Sequence, residues 1–157
     1  MTQDPADAFP IGTILVPVDF SDCSSRAFGY GVRLARAFGS RILLLHVFDT
    51  RIIENVFHIH QMDEEAVRAE MEGRAKKAFE AMCARPEVEG LDLESVRRAG
   101  IPAREIVQAA KDLEVDLIVI GAHGATGLQG ILYGTTAEGV VRGAPCPVLS
   151  VGDGQGE

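Results

Sequence analysis

A glycine-rich stretch late in the chain has the composition of a phosphate-binding loop. Its glycines and hydroxyls follow the pattern G-x2-G-x9-G-T-T and stand at Gly121, Gly124, Gly134, Thr135 and Thr136. The apolar run 117–120 precedes the stretch, and a short helical pattern follows it. Because glycine has no Cβ, backbone N–H groups can approach an anion there, and the helix behind directs its positive end at the same point. The pattern predicts a phosphate site between a strand and a helix.

Other glycine-based motifs do not fit this stretch. A Walker A loop requires G-x-x-x-x-G-K-[ST], and no lysine occurs after Lys111. The dinucleotide fingerprint G-x-G-x-x-G is missing after the first apolar run. A plain strand-to-helix connection, in which the glycines only mark tight turns, remains the structural alternative.

The composition restricts the classes of function. The 157 residues suit a single domain, expected to span 1–157 with an ordered core of about 11–152. A formal net charge of −8 disfavours a nucleic-acid binder, because phosphate backbones need a basic surface. The longest apolar runs are too short for a membrane span, and the acidic first residues do not resemble a secretory signal. We therefore expect a cytoplasmic protein that contacts neither nucleic acid nor membrane.

The hydropathy pattern alternates between strands and helices. Short apolar runs, typical of strands buried on both faces, and one alternating run, typical of an edge strand, cover residues 13–18, 41–47, 91–98, 117–120 and 147–151. Helical patterns begin at Ser21 or Ser24, near Met62, at Pro102 and near Ala137. The segment 49–61 is predicted to be a loop. Five strands and four helices in this order predict a parallel sheet with right-handed crossovers.

Two regions of the sequence resemble the universal stress protein family. The opening run I-L-V-P-V-D-F-S leads through a helix into I-L-L-L-H-V, and the end reads G-x9-G-T-T-A-E-x-V-V-R-x-A-P-C-P-V-L-S-V. The glycine spacing is similar to the ATP-binding motif G-x2-G-x9-G-[ST] of that family. The resemblance implies a three-layer open parallel five-stranded sheet with strand order 3-2-1-4-5 and helices on both faces. That fold is Rossmann-like, of the adenine nucleotide alpha hydrolase-like type.

The implied strand order brings the end of strand 1 next to the end of strand 4, where ligands of open α/β sheets bind. Pro17, Val18 and Asp19 would then lie beside Gly121. We expect the Asp19 carboxylate to accept hydrogen bonds from ribose hydroxyls; its alternative role is that of an acid at a helix N-terminus. The resemblance further implies that the backbone of Val18 and Val47 lies close to adenine. It also implies that the Gly100–Ile101 turn flanks the base.

Several polar residues near the loop have structural as well as functional interpretations. Thr135-Thr-Ala-Glu138 spells a capping box, which is compatible with a phosphate contact by Thr135 and Thr136. His123 is expected either to contact phosphate or to line the entrance of the site. His46, in a predicted buried strand, is expected to be a hydrogen-bonded core residue.

Two sequence features reduce the expected affinity for nucleotide. Gln129-Gly130 stands where many family members carry a basic residue, and Gly139 is expected to loosen the helix behind the loop.

A metal site is considered and disfavoured. His58 and His60 stand close to two carboxylates, but in an extended loop their side chains would point to opposite sides. The cysteines Cys23, Cys83 and Cys146 are widely spaced and expected to be reduced and partly buried.

The resemblance implies a non-catalytic, nucleotide-dependent stress-response module. Its expected ligand is ATP, with or without Mg²⁺, and its expected assembly is a homodimer in which strand Val148–Val151 pairs with its copy. A further protein partner is expected but not identified. Two alternatives stay open: a weak ATPase or nucleotide-dependent enzyme, and a member without nucleotide that acts through protein contacts.

Overall fold

A computed structural model describes residues 9–123 and 134–154 of the chain. The strands are β1 (Thr13–Pro17), β2 (Arg41–Asp49), β3 (Leu93–Gly100), β4 (Leu117–Gly121) and β5 (Val148–Val151). The helices are α1 (Asp22–Phe38), α2 (Thr50–His60), α3 (Glu64–Cys83), α4 (Pro102–Asp112) and α5 (Thr135–Gly143), with a short 3-10 turn at Pro86–Val88. Within these described residues, no helix is both long and apolar enough to cross a membrane.

The strands form one parallel sheet in the order β3-β2-β1-β4-β5. Two apolar clusters cover its faces. One packs α1, α2 and α3 against one face, and the other packs α4 and α5 against the opposite face. The architecture is a three-layer, Rossmann-like α/β fold, as the sequence predicts. β3 and β5 are the two edges of the sheet.

The segment 49–61 is a helix, so the predicted loop is wrong. The Asp49 carboxylate accepts the Arg51 N–H at 3.0 Å and caps the first turn of α2, while its two oxygens also bind the Arg51 side chain. Ile53 is 3% exposed and Val56 packs beside it against the core, which is helical spacing. The β-branched residues of the segment weaken its intrinsic helix propensity, so the cap and the buried contacts decide.

The other local predictions agree closely with the structure. Ser21 is the N-cap of α1 and accepts the Ser24 N–H, and Gly39 ends that helix with a φ of 67°. Pro102 begins α4 and Pro17 is the last residue of β1, where the missing N–H does no harm. β3 extends two residues further than predicted, to Gly100.

Candidate functional site

The carboxyl ends of the strands bring the predicted site residues to one edge of the sheet. β1 lies between β2 and β4, and the helices that follow β1 and β4 cover opposite faces. Pro17, Val18 and Asp19 stand at the end of β1, and Gly121 is the last residue of β4. The strand order therefore changes direction at this point, where open α/β sheets hold their ligands.

Gly121 has a packing reason to be glycine. A Cβ there would lie 3.0 Å from the Cys23 carbonyl carbon and 3.1 Å from Cys23 Sγ. The missing side chain lets the end of β4 approach the first turn of α1. Gly121 thus joins the two halves of the site, which is a different use of glycine from the predicted space for an anion.

The start of α5 is held against the end of β4. The Gly134 N–H donates to the Ala122 carbonyl at 2.7 Å, so Gly134 lies directly beside the residue that follows β4. Gly134 is the N-cap, and no side chain caps the helix within the described residues. Because the Gly134 N–H is already engaged, the first N–H groups directed out of α5 are those of Thr135 and Thr136. An oxyanion at this point would meet two peptide donors and the positive end of the helix.

The predicted capping box is absent. Thr135 is the first helical residue rather than the N-cap, and its hydroxyl makes no capping bond. The Glu138 carboxylate binds the Arg142 guanidinium at 2.7 Å, one turn along the helix. The Glu138 side chain is therefore turned along the helix and does not cover its N-terminus.

The helices differ in whether a side chain caps their N-terminus. The N-termini of α1, α2 and α3 are capped by the side chains of Ser21, Asp49 and Asp63. The described part of the chain offers no side-chain cap to α4 or α5.

These two helices pack closely, because Gly139 faces Ala103 where an added Cβ would lie 2.8 Å from the Ala103 Cβ. Gly139 therefore serves helix packing and does not only loosen α5.

Asp19 and Phe20 form an exposed turn after β1. One Asp19 carboxylate oxygen accepts the Ser21 N–H at 3.0 Å and also the Ser21 hydroxyl. Phe20 has a φ of 63°, which is rare for a bulky residue and costs energy unless its surroundings hold it. The turn ties Asp19 to the start of α1 and leaves the residue exposed at the switch point.

The His46 side chain contacts the turn that Asp19 and Phe20 form. Its Nδ1 lies 2.8 Å from the Val18 carbonyl oxygen, and since a carbonyl only accepts, Nδ1–H is the donor. Its ring lies 4.6 Å from the Phe20 ring, centroid to centroid, and 4.9 Å from the Phe48 ring. Burial lowers the pKa of His46 below its usual value, against the opposing effects of the Val18 hydrogen bond and the Asp19 charge. The predicted hydrogen bond of His46 is confirmed, on a half-buried ring, but its contact with both neighbours of Asp19 could not be predicted from the sequence.

The residues expected around a base lie on the other side of β1. Val47 stands near the end of β2, and Gly100 and Ile101 connect β3 to α4. Gly100 has a φ of 150°, and a Cβ there would lie 2.7 Å from Glu105 Oε1, so a larger residue does not fit. Along the edge the order is Ile101, Val47, Asp19 and Gly121. That order suits an extended ligand with a base at one end and phosphates at the other.

Some predicted residues remain outside this arrangement. Gly124, Gln129 and Gly130 lie outside the described residues, and His123 is half-buried directly after Ala122. His58 and His60 are exposed residues of α2 rather than of an extended loop. Within residues 9–123 and 134–154, no three potential ligands group around a metal position. The three cysteines are unpaired, and Cys83 is exposed, contrary to the prediction of partial burial.

Comparisons with known proteins identify the fold and the family. The model of the universal stress protein family matches residues 10–152. Universal stress protein MJ0577 of Methanocaldococcus jannaschii is 31% identical over 150 residues, which cover 88% of this chain and 93% of the relative. The solved structure of MJ0577 is 33% identical with a TM-score of 0.75, covering 90% of this chain and 96% of the other.

Two further solved structures share the fold. Universal stress protein UspA from Lactobacillus plantarum is 32% identical with a TM-score of 0.65, covering 90% of this chain and 98% of its own. The universal stress protein from Archaeoglobus fulgidus, solved in complex with dAMP, is 21% identical with a TM-score of 0.62, covering 91% and 98%. At that identity the likeness concerns the fold alone. The family model and the relatives above 30% identity place this chain in the universal stress protein family.

Proposed function

We propose that this chain binds ATP at the carboxyl edge of its sheet and acts as a non-catalytic, nucleotide-dependent stress-response module. One observation carries the proposal. The N-terminus of α5, which no described side chain caps, is fixed beside the end of β4 by the Gly134–Ala122 bond, at the switch point where Asp19 follows β1. Phosphate at α5 and ribose at Asp19 then match two adjoining parts of a nucleotide.

The chemistry of the donors suits an acidic protein. Peptide N–H groups and a helix dipole offer positive potential without adding a side-chain charge, so a net charge of −8 does not prevent anion binding. Adenine nucleotide binding by the A. fulgidus relative, which was solved with dAMP, supports the choice of ligand. Mg²⁺ would accompany the phosphates when present, because the β- and γ-oxygens of ATP bind it without dedicated protein ligands.

The proposed module is not an enzyme because groups for phosphoryl transfer are few. Efficient transfer needs a cation at the leaving phosphate and a residue that positions the nucleophile. The chain has no lysine beyond Lys111, and Asp19 is assigned to ribose. We expect phosphate release from ATP to stay below about 1 s⁻¹, the lower range of ordinary enzymes.

Titration calorimetry with ATP and 2′,3′-dideoxy-ATP tests the assignment of Asp19. Asp19→Asn should weaken ATP binding about ten- to a hundredfold, since a hydrogen bond to a charged group contributes about 1.5–3 kcal/mol, and should leave the affinity for dideoxy-ATP within about twofold. Asp22→Asn is the matched control. It removes one charge from the first turn of the same helix, where Asp22 adds to the dipole effect without a place in the turn. Equal losses in both variants would reduce the role of Asp19 to a general electrostatic effect, and a wild-type protein that does not bind ATP would refute the proposed function.

A homodimer through β5 belongs to the same proposal. Among the described strands β5 pairs with β4 alone, at an edge of the sheet. Leu149 on β5 and Val141 on α5 are 38% and 53% exposed, which is high for large apolar side chains beside an open strand edge. Pairing Val148–Val151 with its copy would satisfy the open backbone groups and cover both side chains.

A further inference from the structure

The β1–β2 ladder continues for one hydrogen bond past the end of β1 and then stops, although β2 runs on to Asp49. In a parallel ladder each residue directs its N–H and its C=O to the same neighbour, and successive residues alternate. Val18 N–H donates to the Leu45 carbonyl at 2.8 Å, so Val18 and Leu45 face each other's strands. By alternation the backbone of Val47 also faces β1. The next bond of the ladder would run from Val47 N–H to the Val18 carbonyl.

That bond is not formed between these two described residues. The Val18 carbonyl instead takes Nδ1–H of His46, at 2.8 Å. The His46 ring contacts the Phe20 and Phe48 rings, and the Phe79 ring lies 6.4 Å away, centroid to centroid. The His46 side chain therefore binds the carbonyl that Val47 N–H would use if the ladder continued.

We propose that His46 is a positioning residue for the nucleobase: by taking the Val18 carbonyl it leaves the Val47 N–H open at the edge of the sheet, as a donor for a ring nitrogen of adenine. The inference rests on the proposed function for the identity of the ligand. Its structural part concerns the apo protein alone. Val47 N–H lies between the expected ribose position at Asp19 and the Gly100–Ile101 turn, where a planar base would enter.

The burial of His46 supports this role. Its lowered pKa keeps the ring neutral near pH 7, and a neutral imidazole has a single N–H. The hydrogen bond to Val18 requires that this proton be on Nδ1. The remaining nitrogen, Nε2, is an acceptor and so cannot replace the Val47 N–H as donor to the base.

His46→Phe removes the donor and keeps a ring against Phe20 and Phe48. In this variant the Val18 carbonyl has no side-chain partner, and Val47 N–H is expected to close the ladder. Amide hydrogen exchange by NMR on the apo protein measures that closure directly: the Val47 amide should exchange at least tenfold more slowly than in the wild type. His46→Leu repeats the test without an aromatic ring, in case the first variant does not fold.

Nucleotide affinity gives the second measurement. His46→Phe should weaken ATP binding about tenfold, which corresponds to one lost hydrogen bond whose buried partner stays unsatisfied. The losses of affinity for 1-deaza-ATP and for 7-deaza-ATP should differ, because only one ring nitrogen of adenine is the acceptor. Phe48→Leu is the control, since it disturbs the same aromatic cluster without touching Nδ1, and it should leave Val47 exchange and ATP affinity within about twofold. Unchanged Val47 exchange in both His46 variants would overturn the inference even if the protein binds ATP. Slower exchange in a protein that does not bind ATP would uphold the positioning of the amide and refute the proposed function instead.

Discussion

His46 makes the stability of the protein depend on pH. Burial, the largest influence, lowers the pKa of the folded-state imidazole below 6.5, as does the charge of Arg97; the Val18 bond and Asp19 act in the opposite direction. The unfolded chain therefore takes up this proton at a higher pH than the folded protein. Between 6.5 and the lower folded-state pKa the unfolded state binds more protons, so the free energy of unfolding falls as the pH falls through that window.

Urea unfolding from about pH 7.5 to about pH 5 measures this contribution. The wild type should lose stability relative to His46→Phe as the pH decreases, because the variant has no imidazole to protonate at that position. Phe48→Leu, which keeps His46, should follow the wild-type slope with a constant offset. If the difference in free energy of unfolding between wild type and His46→Phe is constant over this pH range, the folded and unfolded states bind this proton equally.

Single residues could be predicted from the sequence where one position decides one role. The positions of Asp19 after β1 and of Gly121 at the end of β4 could be predicted because a carboxylate after one apolar run and a glycine after another are local features. The reason for Gly121 could not, since its approach to Cys23 joins residues 98 positions apart, and such contacts leave no periodic pattern. The contact of His46 with Val18 is hidden for the same reason.

At the scale of elements, capping explains which helix starts could be predicted from the sequence and which could not. Ser21 and Pro102 gave the starts of α1 and α4 correctly because each acts within its own turn. The motif 135–138 has the spelling of a capping box, but the Gly134–Ala122 bond fixes the helix start one residue early. A tertiary hydrogen bond thus outweighs a local preference of about 1 kcal/mol. In residues 50–60, buried tertiary contacts together with the Asp49 cap likewise outweigh the weak helix propensity of the segment.

Gly139→Ala tests whether α4 and α5 must touch at this point. Alanine stabilises an exposed helix position by about 0.5–1 kcal/mol relative to glycine, but at 139 its Cβ would lie 2.8 Å from the Ala103 Cβ. We expect Gly139→Ala to lower the free energy of unfolding in urea by about 1–3 kcal/mol, as overpacking does. Gly73→Ala in α3, where a Cβ meets nothing within 4 Å, should raise it.

A compensating change completes that test. Adding Ala103→Gly to Gly139→Ala removes the close contact and should restore most of the lost stability, apart from the propensity cost of the new glycine. If Gly139→Ala alone is as stabilising as Gly73→Ala, the two helices can separate without cost.

At the scale of the whole molecule, the strand order follows from the family resemblance rather than from any one segment. The alternation of strands and helices predicted a parallel sheet, and the resemblance supplied the order 3-2-1-4-5, which the structure confirms. The strand order matters for function because the two edge strands that it creates differ in their side chains. β3 carries Glu94, Arg97 and Arg98, whereas β5 is V-L-S-V. Charged side chains protect an edge from pairing, and an apolar edge favours it.

Ser150→Pro should convert the proposed dimer to a monomer. The Pro147 carbonyl accepts the Ile118 N–H and the Val151 carbonyl accepts the Ala122 N–H, so by alternation the backbone of Ser150 faces away from the sheet. Proline there removes an outward donor and spares the ladder with β4. Ser95→Pro is the matched control on β3. The Asp92 carbonyl accepts from Ile42, so Ser95 also faces outward, at the other edge. Sedimentation equilibrium should give a monomer for Ser150→Pro and a dimer for both Ser95→Pro and wild type. A dimer that persists in Ser150→Pro but dissociates in Ser95→Pro would place the interface on β3, and the β5 edge would then need a different partner.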